Sequence, residues 1–380
     1  MIASRLSGFG TTIFTEMSAL AERTGAINLG QGFPDEDGPP EVLEAAAAAI
    51  RAGHNQYAPL AGVPALLTAI AGHQARFYGL EVDPAAGVQV TFGATEAIAS
   101  ALLGLLEDGD EVVVFEPLYD SYAAGIAMAG GRRRVVTLRP PDWSFDPDEL
   151  AAAVTPRTRL LLLNSPHNPT GKVFSRDELE QVAAVCREHD LVAVTDEVYE
   201  HLVFEGEHVP LATLDGMGER TITISSLGKT FSVTGWKIGW ATGPPELVAA
   251  VRAAKQYLSF AGGTPLQHAG AAALALGDEF YAGLAAGLKA KRDRLCAGLQ
   301  AAGLEPLRSA GTYFVNARVD GDGAAFCREL PDRAGVVAIP TAVFYDHPEV
   351  ARSLVRFAFC KRERVIDEAA ARLAGAPASV

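Results

Sequence analysis

The sequence predicts an α/β fold with a large domain on a mostly parallel sheet flanked by helices and a smaller α/β domain beside it. Through the middle of the chain, short β-rich runs alternate with longer segments of helical periodicity, as in a parallel sheet with crossover helices. Several of those runs are apolar almost throughout, as strands covered on both faces must be. The two ends of the chain break the alternation, which sets them apart from the centre.

Candidate strands span 88–92, 112–116, 160–164, 191–196, 221–225 and 239–242, with candidate helices such as 95–106 and 175–189 between them. Two helix starts are well signed. Ser175 and Glu178 fit a capping box. Asp146, Pro147 and Glu149 line up as an N-cap, a first-turn proline and a reciprocal acid. The Ala-rich stretch 45–50 reads as a surface helix. Residues 1–40 hold one helical stretch and the Gly/Pro-rich LGQGFPDEDGPP; near the other end come a long helix over 279–302, short strands and a last helix from about 362. The expected division is an N-terminal arm and part of the small domain (1–40), a large domain (41–278) and the small domain (279–380). No repeat or low-complexity linker separates them, so a broad shared interface is expected.

The chain has 380 residues, 49% hydrophobic and 21% charged, a balance that builds a sizeable core and excludes disorder. A net charge of −14 argues against nucleic acid, whose phosphates need clustered Lys and Arg. The run Arg132-Arg133-Arg134 leads into Val135-Val136 and reads as a solvated strand entry. Four scattered cysteines form no Cys-x-x-Cys pair, so neither a zinc knuckle nor a redox motif is expected, and no metal ligand set is read from the sequence. Neither a signal-peptide pattern nor about 18 consecutive apolar residues occurs; a reducing cytoplasm is the expected compartment.

Three partial motifs fail. Gly228-Lys229-Thr230 resembles the end of a P-loop, but the required earlier glycine is Thr223. Gly30-Gln31-Gly32 lacks the third glycine of a dinucleotide fingerprint, since position 35 is Asp. No His-Glu-x-x-His helix occurs, and Glu200-His201, beside a strand end, reads as a surface pair.

What remains is a set of polar groups at the carboxyl ends of the candidate strands, the edge at which open α/β sheets bind ligands. Gly93-Ala94-Thr95 opens a helix and reads as a phosphate cradle or as a plain tight turn. Tyr119 could stack on a flat ring or simply pack the core. The run from Asn164 to Gly171 is held extended by its Ser-Pro and Asn-Pro steps, so Asn168 can present a fixed amide. Asp196 ends an apolar strand, where a carboxylate needs a cation: a protonated pyridine nitrogen, or a structural salt-bridge partner. Lys229 follows a buried strand and is placed to act as a free amine that forms an imine; Lys237, eight residues on and also in apolar surroundings, would depress its pKa.

In this order (Gly-x-Thr, Asn-Pro, Asp-x-x-Tyr, Ser-x-x-Lys, a second Lys, a late Arg) the set resembles the class I/II aminotransferases, enzymes of the pyridoxal-phosphate-dependent transferase fold, type I. The resemblance runs from Asn28–Pro34 to Arg356–Phe359. It implies pyridoxal 5′-phosphate carried as a Schiff base on Lys229, which also shuttles the proton. Asp196 would keep the ring nitrogen protonated, and Tyr199 and Asn168 would bond the ring oxygen. Ala94, Thr95, Ser226 and Lys237 would hold the phosphate, Lys237 standing where many relatives carry Arg. Tyr119 would stack on the ring, Arg356 would take the substrate α-carboxylate, and Gly32 would let the backbone approach it. Tyr57 would reach the phosphate of a neighbouring subunit, which implies a homodimer. Ping-pong transfer between an amino acid, with glutamate the expected donor, and a 2-oxo acid is the implied reaction.

Within the family the chain is similar to two groups. LGQGFPD and Thr-Gly-Trp-Lys are shared with kynurenine/glutamine aminotransferases. Longer runs, such as GQGFPDEDGPP and TDEVYEHLVF, are similar to actinobacterial N-succinyldiaminopimelate aminotransferase of lysine biosynthesis. Phe14 stands where the kynurenine group has Trp, and Gly262-Gly263 stand where it has Phe-His, either to make room for a long polar substrate or to make a turn. The succinyldiaminopimelate reading is the expectation, with a kynurenine/glutamine-type broad specificity or cysteine-S-conjugate β-lysis as alternatives.

Overall fold

The computed structural model describes residues 2–10 and 12–375. Its main sheet has seven strands: β1 (Val88–Phe92), β2 (Glu111–Glu116), β3 (Arg132–Thr137), β4 (Thr158–Asn164), β5 (Val192–Asp196), β6 (Thr221–Ser226) and β7 (Ile238–Thr242), in the order β1-β7-β6-β5-β4-β2-β3. All neighbours are parallel except β7, which runs antiparallel to both β1 and β6. The expected strands all form, with ends shifted by one or two residues. Arg132, Arg133 and Arg134 are exposed and lead into a strand that buries Val136, as expected.

Helices follow in chain order: α1 (Ile13–Thr24), α2 (Pro40–Arg51), α3 (Pro64–Tyr78), α4 (Gly93–Leu105), α5 (Asp120–Met128), α6 (Pro147–Ala153), α7 (Arg176–Glu188), α8 (Leu227–Thr230), α9 (Pro245–Leu258), α10 (Thr264–Leu274), α11 (Asp278–Ala301), α12 (Gly323–Ala334) and α13 (Glu363–Ala374). The pleat explains why the strands are apolar on both faces. Val112, Val114, Leu160 and Leu162 pack with α4 and α5, whereas Val113, Phe115, Leu161 and Leu163 point the other way, against α6 and α7. Burying one such side chain is worth about 1.5–3 kcal/mol, so this double cover anchors the central strands from both faces.

A second antiparallel sheet is built on β8 (Phe314–Arg318) and β9 (Leu354–Ala358), with short strands Ile339–Pro340 and Glu305–Pro306 at its edges. Its apolar face packs with α1, α11, α12 and α13 in one core that also takes in Leu29, Tyr199 and Leu202. The start of the chain joins this unit by parallel pairing of Ile27–Asn28 with Val336–Val337.

Two local expectations change. Asp146 caps α6 through the Asp148 N–H, but Glu149 does not reach back to it. It accepts instead from the Thr137 N–H (2.9 Å) and pairs with Arg139 (2.7 Å), because β3 passes alongside. The stretch 45–50 lies in α2, yet Val42, Ala46 and Ala49 are buried, so the helix is amphipathic. The Ser175–Glu178 capping box forms. No helix among the described residues is long and apolar enough to cross a membrane.

Gly239 sets how closely β7 approaches the start of α4. A Cβ there would lie 2.5 Å from the Gly93 carbonyl carbon and 2.7 Å from the Ala94 nitrogen, both backbone atoms that cannot swing away. Gly239→Ala should therefore cost about 1–3 kcal/mol, read as a lower urea midpoint with an unchanged m-value.

Candidate active site

One cavity of about 500 Å³ lies between the carboxyl edge of the main sheet and the β8–β9 sheet. Of the residues singled out from the sequence, Phe14, Gly32, Ala94, Thr95, Tyr119, Asn168, Asp196, Tyr199, Ser226, Lys229, Lys237 and Arg356 all line it. Tyr57 does not: its ring is exposed and packs edge-on against Phe260, 5.5 Å between centroids.

The floor is Asp196, at the end of β5, with 5% of its surface accessible. Its carboxylate accepts from the Tyr122 hydroxyl (2.6 Å) and more weakly from the Val198 N–H (3.3 Å). Burial pushes the carboxyl up to about 6, although these hydrogen bonds and Lys229 oppose the rise. Asn164 aligns with Asp196 across the β4–β5 ladder, donates to the Asp196 carbonyl (2.8 Å) and accepts from the Asn168 N–H (2.7 Å). That bond turns the prolyl segment so that Asn168 faces the cavity.

Lys229 sits in the single-turn α8, three residues past the end of β6. Burial lowers its pKa to about 8; Lys237 adds a smaller push downward, while Cys360 and Asp196 pull upward. The expected lysine–lysine effect is thus present but secondary to desolvation. Lys237 itself is exposed rather than apolar in its surroundings, with φ +53. Its ammonium lies where a Gly93 Cβ would come within 3.0 Å of it, so a glycine at 93 is what lets it cross the start of α4. Glu96 accepts from the Phe92 N–H (2.6 Å), and the next residues, Gly93, Ala94 and Thr95, line the cavity at the start of α4 together with Ser226 and Lys237.

The opposite wall belongs to Arg356, on β9, which is 1% exposed. It donates to Asn168 Oδ1 (3.0 Å) and the Gly30 carbonyl (2.8 Å), and its Nε is buried without a partner. Phe314, Phe344 and Phe14 surround it, with ring centroids 4.1, 5.1 and 5.3 Å away. Among the described residues no carboxylate pairs with it, and desolvation lowers its pKa to about 10. Gly32 approaches so closely that a Cβ would lie 2.4 Å from the Phe314 ring, while its carbonyl accepts from the Tyr313 hydroxyl (2.6 Å).

Several contributors went unread in the sequence. Tyr122 lies three residues after Tyr119, a helical spacing that puts both on the cavity side of α5. Tyr313 and Phe314 come from β8 and its approach, far from every strand-end motif. Glu116, fully buried, accepts from the Asp346 N–H (2.6 Å), bonds His347 Nδ1 (2.6 Å) and accepts from Thr137 (2.8 Å); beside it the Leu118 N–H donates to the Phe344 carbonyl (2.8 Å). This clasp ties the 344–347 segment to the main sheet and so holds Phe344 beside Arg356. Gly262 and Gly263 have a packing reason: a Cβ at 262 would strike the Phe92 ring at 2.2 Å, and Gly263 caps α10 at φ +65. Neither lines the cavity.

A sheet-edge lysine whose pKa burial lowers to about 8, facing a buried acid and a guanidinium without a carboxylate partner across one cleft, belongs to a framework that extends over nearly the whole chain. Residues 24–373 match the sequence profile of the family described as aminotransferase class I and II; the chain belongs to that family and is an aminotransferase. It is 54% identical over 388 aligned positions to the probable N-succinyldiaminopimelate aminotransferase DapC of Mycobacterium tuberculosis, covering 98% of each chain. A solved structure of the N-succinyldiaminopimelate aminotransferase from that organism superimposes with a TM-score of 0.96 at 55% identity, covering 99% of this chain and all of that one. Methionine aminotransferase of Escherichia coli is 42% identical, with 97% of each chain covered, and human kynurenine–oxoglutarate transaminase 1 is 37% identical, with 96% and 95% covered.

The raised Asp196 carboxyl makes a signed prediction for the cofactor-free chain. A buried acid that titrates near 6 instead of 3.8 lets the fold keep its full stability below about pH 4 and lose it as pH rises through 6. Asp196→Asn keeps the bond from Tyr122 and removes the charge. It should leave stability unchanged below pH 4 and raise it by roughly 3 kcal/mol above pH 6, measured as urea midpoints across pH.

Proposed function

We propose that this aminotransferase uses pyridoxal 5′-phosphate and acts on N-succinyldiaminopimelate in lysine biosynthesis, with glutamate as amino donor. The fit to that cofactor rests on three features: the start of α4, where Gly93, Ala94 and Thr95 line the cavity beside Lys237 and Ser226, suited to a phosphate dianion; the buried Asp196, which a cationic ring nitrogen would neutralise; and a cavity that joins the two. When bound, the cofactor supplies an aldehyde to hold the amino group and a protonated ring that draws electrons from the substrate α-carbon.

Around that chemistry each residue has a task. Asp196 keeps the ring nitrogen protonated, and Tyr122 orients Asp196. Tyr199 and Asn168 address the ring oxygen, and Tyr119 covers one ring face. Ala94 and Thr95 through their N–H groups, with Ser226 and Lys237, bind the phosphate. Lys229 is the covalent attachment point; once released as a free amine, favoured by a pKa near 8, its Nζ carries the proton away from the substrate α-carbon. Arg356 grips the α-carboxylate, which supplies the anion that its guanidinium lacks, and the Gly32 backbone lies against the same group. Phe14 bounds the side-chain end of the pocket.

Identity of 54% over almost the whole of both chains carries the substrate reading, against 37% for the kynurenine enzyme. The aromatic wall of Phe14, Phe314 and Phe344 supports a second reading, transfer from methionine or aromatic amino acids. We further propose a large domain over 41–278, a small domain over 279–380 joined by parts of 1–40, a homodimer in which the exposed Tyr57 reaches the partner's phosphate site, and a reducing cytoplasm suited to four free thiols.

A panel of amino donors and 2-oxo acids containing N-succinyl-LL-diaminopimelate, methionine and kynurenine tests the substrate. The highest kcat/KM is expected for the succinylated amine, and no turnover of it would sink that reading. Borohydride reduction followed by peptide mass mapping should place the cofactor on Lys229. Lys229→Ala should lower turnover on the order of 10²–10⁴-fold. Arg356→Lys should lower kcat/KM for every α-carboxylate substrate about 10- to 150-fold.

A further inference from the structure

Behind the β6 strand that leads to Lys229, and outside the cavity, two histidines and a glutamate meet inside the fold. His73, on α3, is 3% exposed; Glu200, in the turn after β5, is 6% exposed; His201 beside it is half-buried. The Nε2 atoms of His73 and His201 are 2.7 Å apart, and the potential ligand atoms of the three residues all lie within 4.8 Å of one another. Glu200 accepts from the Tyr78 hydroxyl (2.7 Å) and the Ser225 hydroxyl (2.5 Å), so the carboxylate is oriented by two neutral donors. The pairing read from the sequence as a surface feature is therefore the core of a buried polar cluster.

The charge balance of this cluster is incomplete. The two Nε2 atoms share one hydrogen bond, so one ring holds a lone pair there and the other offers one once its proton moves to Nδ1. The other charged groups nearby do not neutralise Glu200. Arg76 lies over the Phe77 and Tyr281 rings and is already bonded to the Leu276 carbonyl and Asp278, while Glu197, paired with His208 at 2.8 Å, brings a second buried carboxylate into the region. The buried Tyr281 hydroxyl and His73 Nδ1 have no hydrogen-bond partner.

We propose that His73, Glu200 and His201 form a binding site for a divalent transition-metal cation, Zn²⁺ being the best match to two imidazoles and one carboxylate. Zinc bonds of about 2.0–2.2 Å place tetrahedral ligand atoms roughly 3.3–3.6 Å apart, so the imidazoles would part slightly and the carboxylate would move inward. His201, half-buried, is the ligand nearest solvent, and its ring packs on Phe77 and Tyr281. Tyr78 and Ser225 remain as outer partners that fix the carboxylate. A cation there would cross-link α3, the turn after β5 and, through Ser225, the strand that carries Lys229 in its extension. Its role is structural, since the cluster is separate from the residues that line the cavity.

Calorimetric titration of the holoenzyme with ZnCl₂ tests the site. Saturable binding of one Zn²⁺ per protomer is expected. His201→Gln should raise the dissociation constant more than about 100-fold, beyond the 10–100-fold that loss of an outer partner costs. Co²⁺ in place of Zn²⁺ should give a four-coordinate visible band in the wild type and not in His201→Gln, a readout that does not depend on His73 variants folding. His268→Asn, which breaks the other close histidine pair (His54 and His268, centroids 4.0 Å apart), should leave stoichiometry and affinity unchanged. No saturable binding up to millimolar Zn²⁺, unchanged affinity in His201→Gln, or loss of binding in His268→Asn alone would each overturn the proposal.

Discussion

A carboxylate at the closed end of a central strand is the constraint around which the cleft is organised. Asp196 is shielded from water, and its direct protein partners are a tyrosine hydroxyl and a backbone amide. Such a group is costly to ionise, and the fold accepts that cost because the strands on either side are locked. Their side chains are close-packed on both faces, so a slip that parted Asp196 from Asn164 would have to break that packing on both sides. Packing far from the cleft thereby holds an unfavourable charge at the one place where a cationic ligand can repay it.

Across the cleft the same logic acts with the opposite sign. Arg356 is a buried guanidinium with a free Nε, bonded only to neutral oxygens and ringed by three aromatic faces. Lys229 is a half-buried amine whose charge is disfavoured by desolvation. Acid and guanidinium are carried by different sheets, so their separation is set by how the two sheets pack. The Glu116 clasp on residues 346 and 347 ties the two together on one side of the pocket, and the Tyr313 bond to Gly32 holds the N-terminal segment against the approach to β8. Preorganised charges that await their counter-ions are what a catalyst of group transfer requires.

Local signals in the sequence identified the framework because each rests on short-range physics. Uninterrupted apolar runs marked β2, β4 and β5, Ser175 and Glu178 marked the start of α7, and polar residues at strand ends marked the cleft edge. Where a neighbour distant in sequence decides, the local reading changed. Glu149 turned away from its own helix because Thr137 at the end of β3 offers an N–H and Arg139, just beyond it, a cation. The glycines at 262 and 263 answer to Phe92 and to the start of α10 rather than to a substrate. Glu200-His201 became a buried pair because α3, more than 120 residues earlier, lays His73 and Tyr78 over it.

By itself, the sequence determined which residues could do the chemistry and that they would gather at one sheet edge, since strand order, burial of apolar runs and turn chemistry are written locally. Only the tertiary structure decided the distances and the charge states: that Lys237 is exposed while Lys229 is not, that Tyr122 holds Asp196, that Arg356 has no carboxylate partner, and that Tyr57 points away from its own cleft. The reason is physical. Desolvation and hydrogen-bond geometry depend on every atom within a few ångströms, and those atoms come from segments that meet only once the chain has folded.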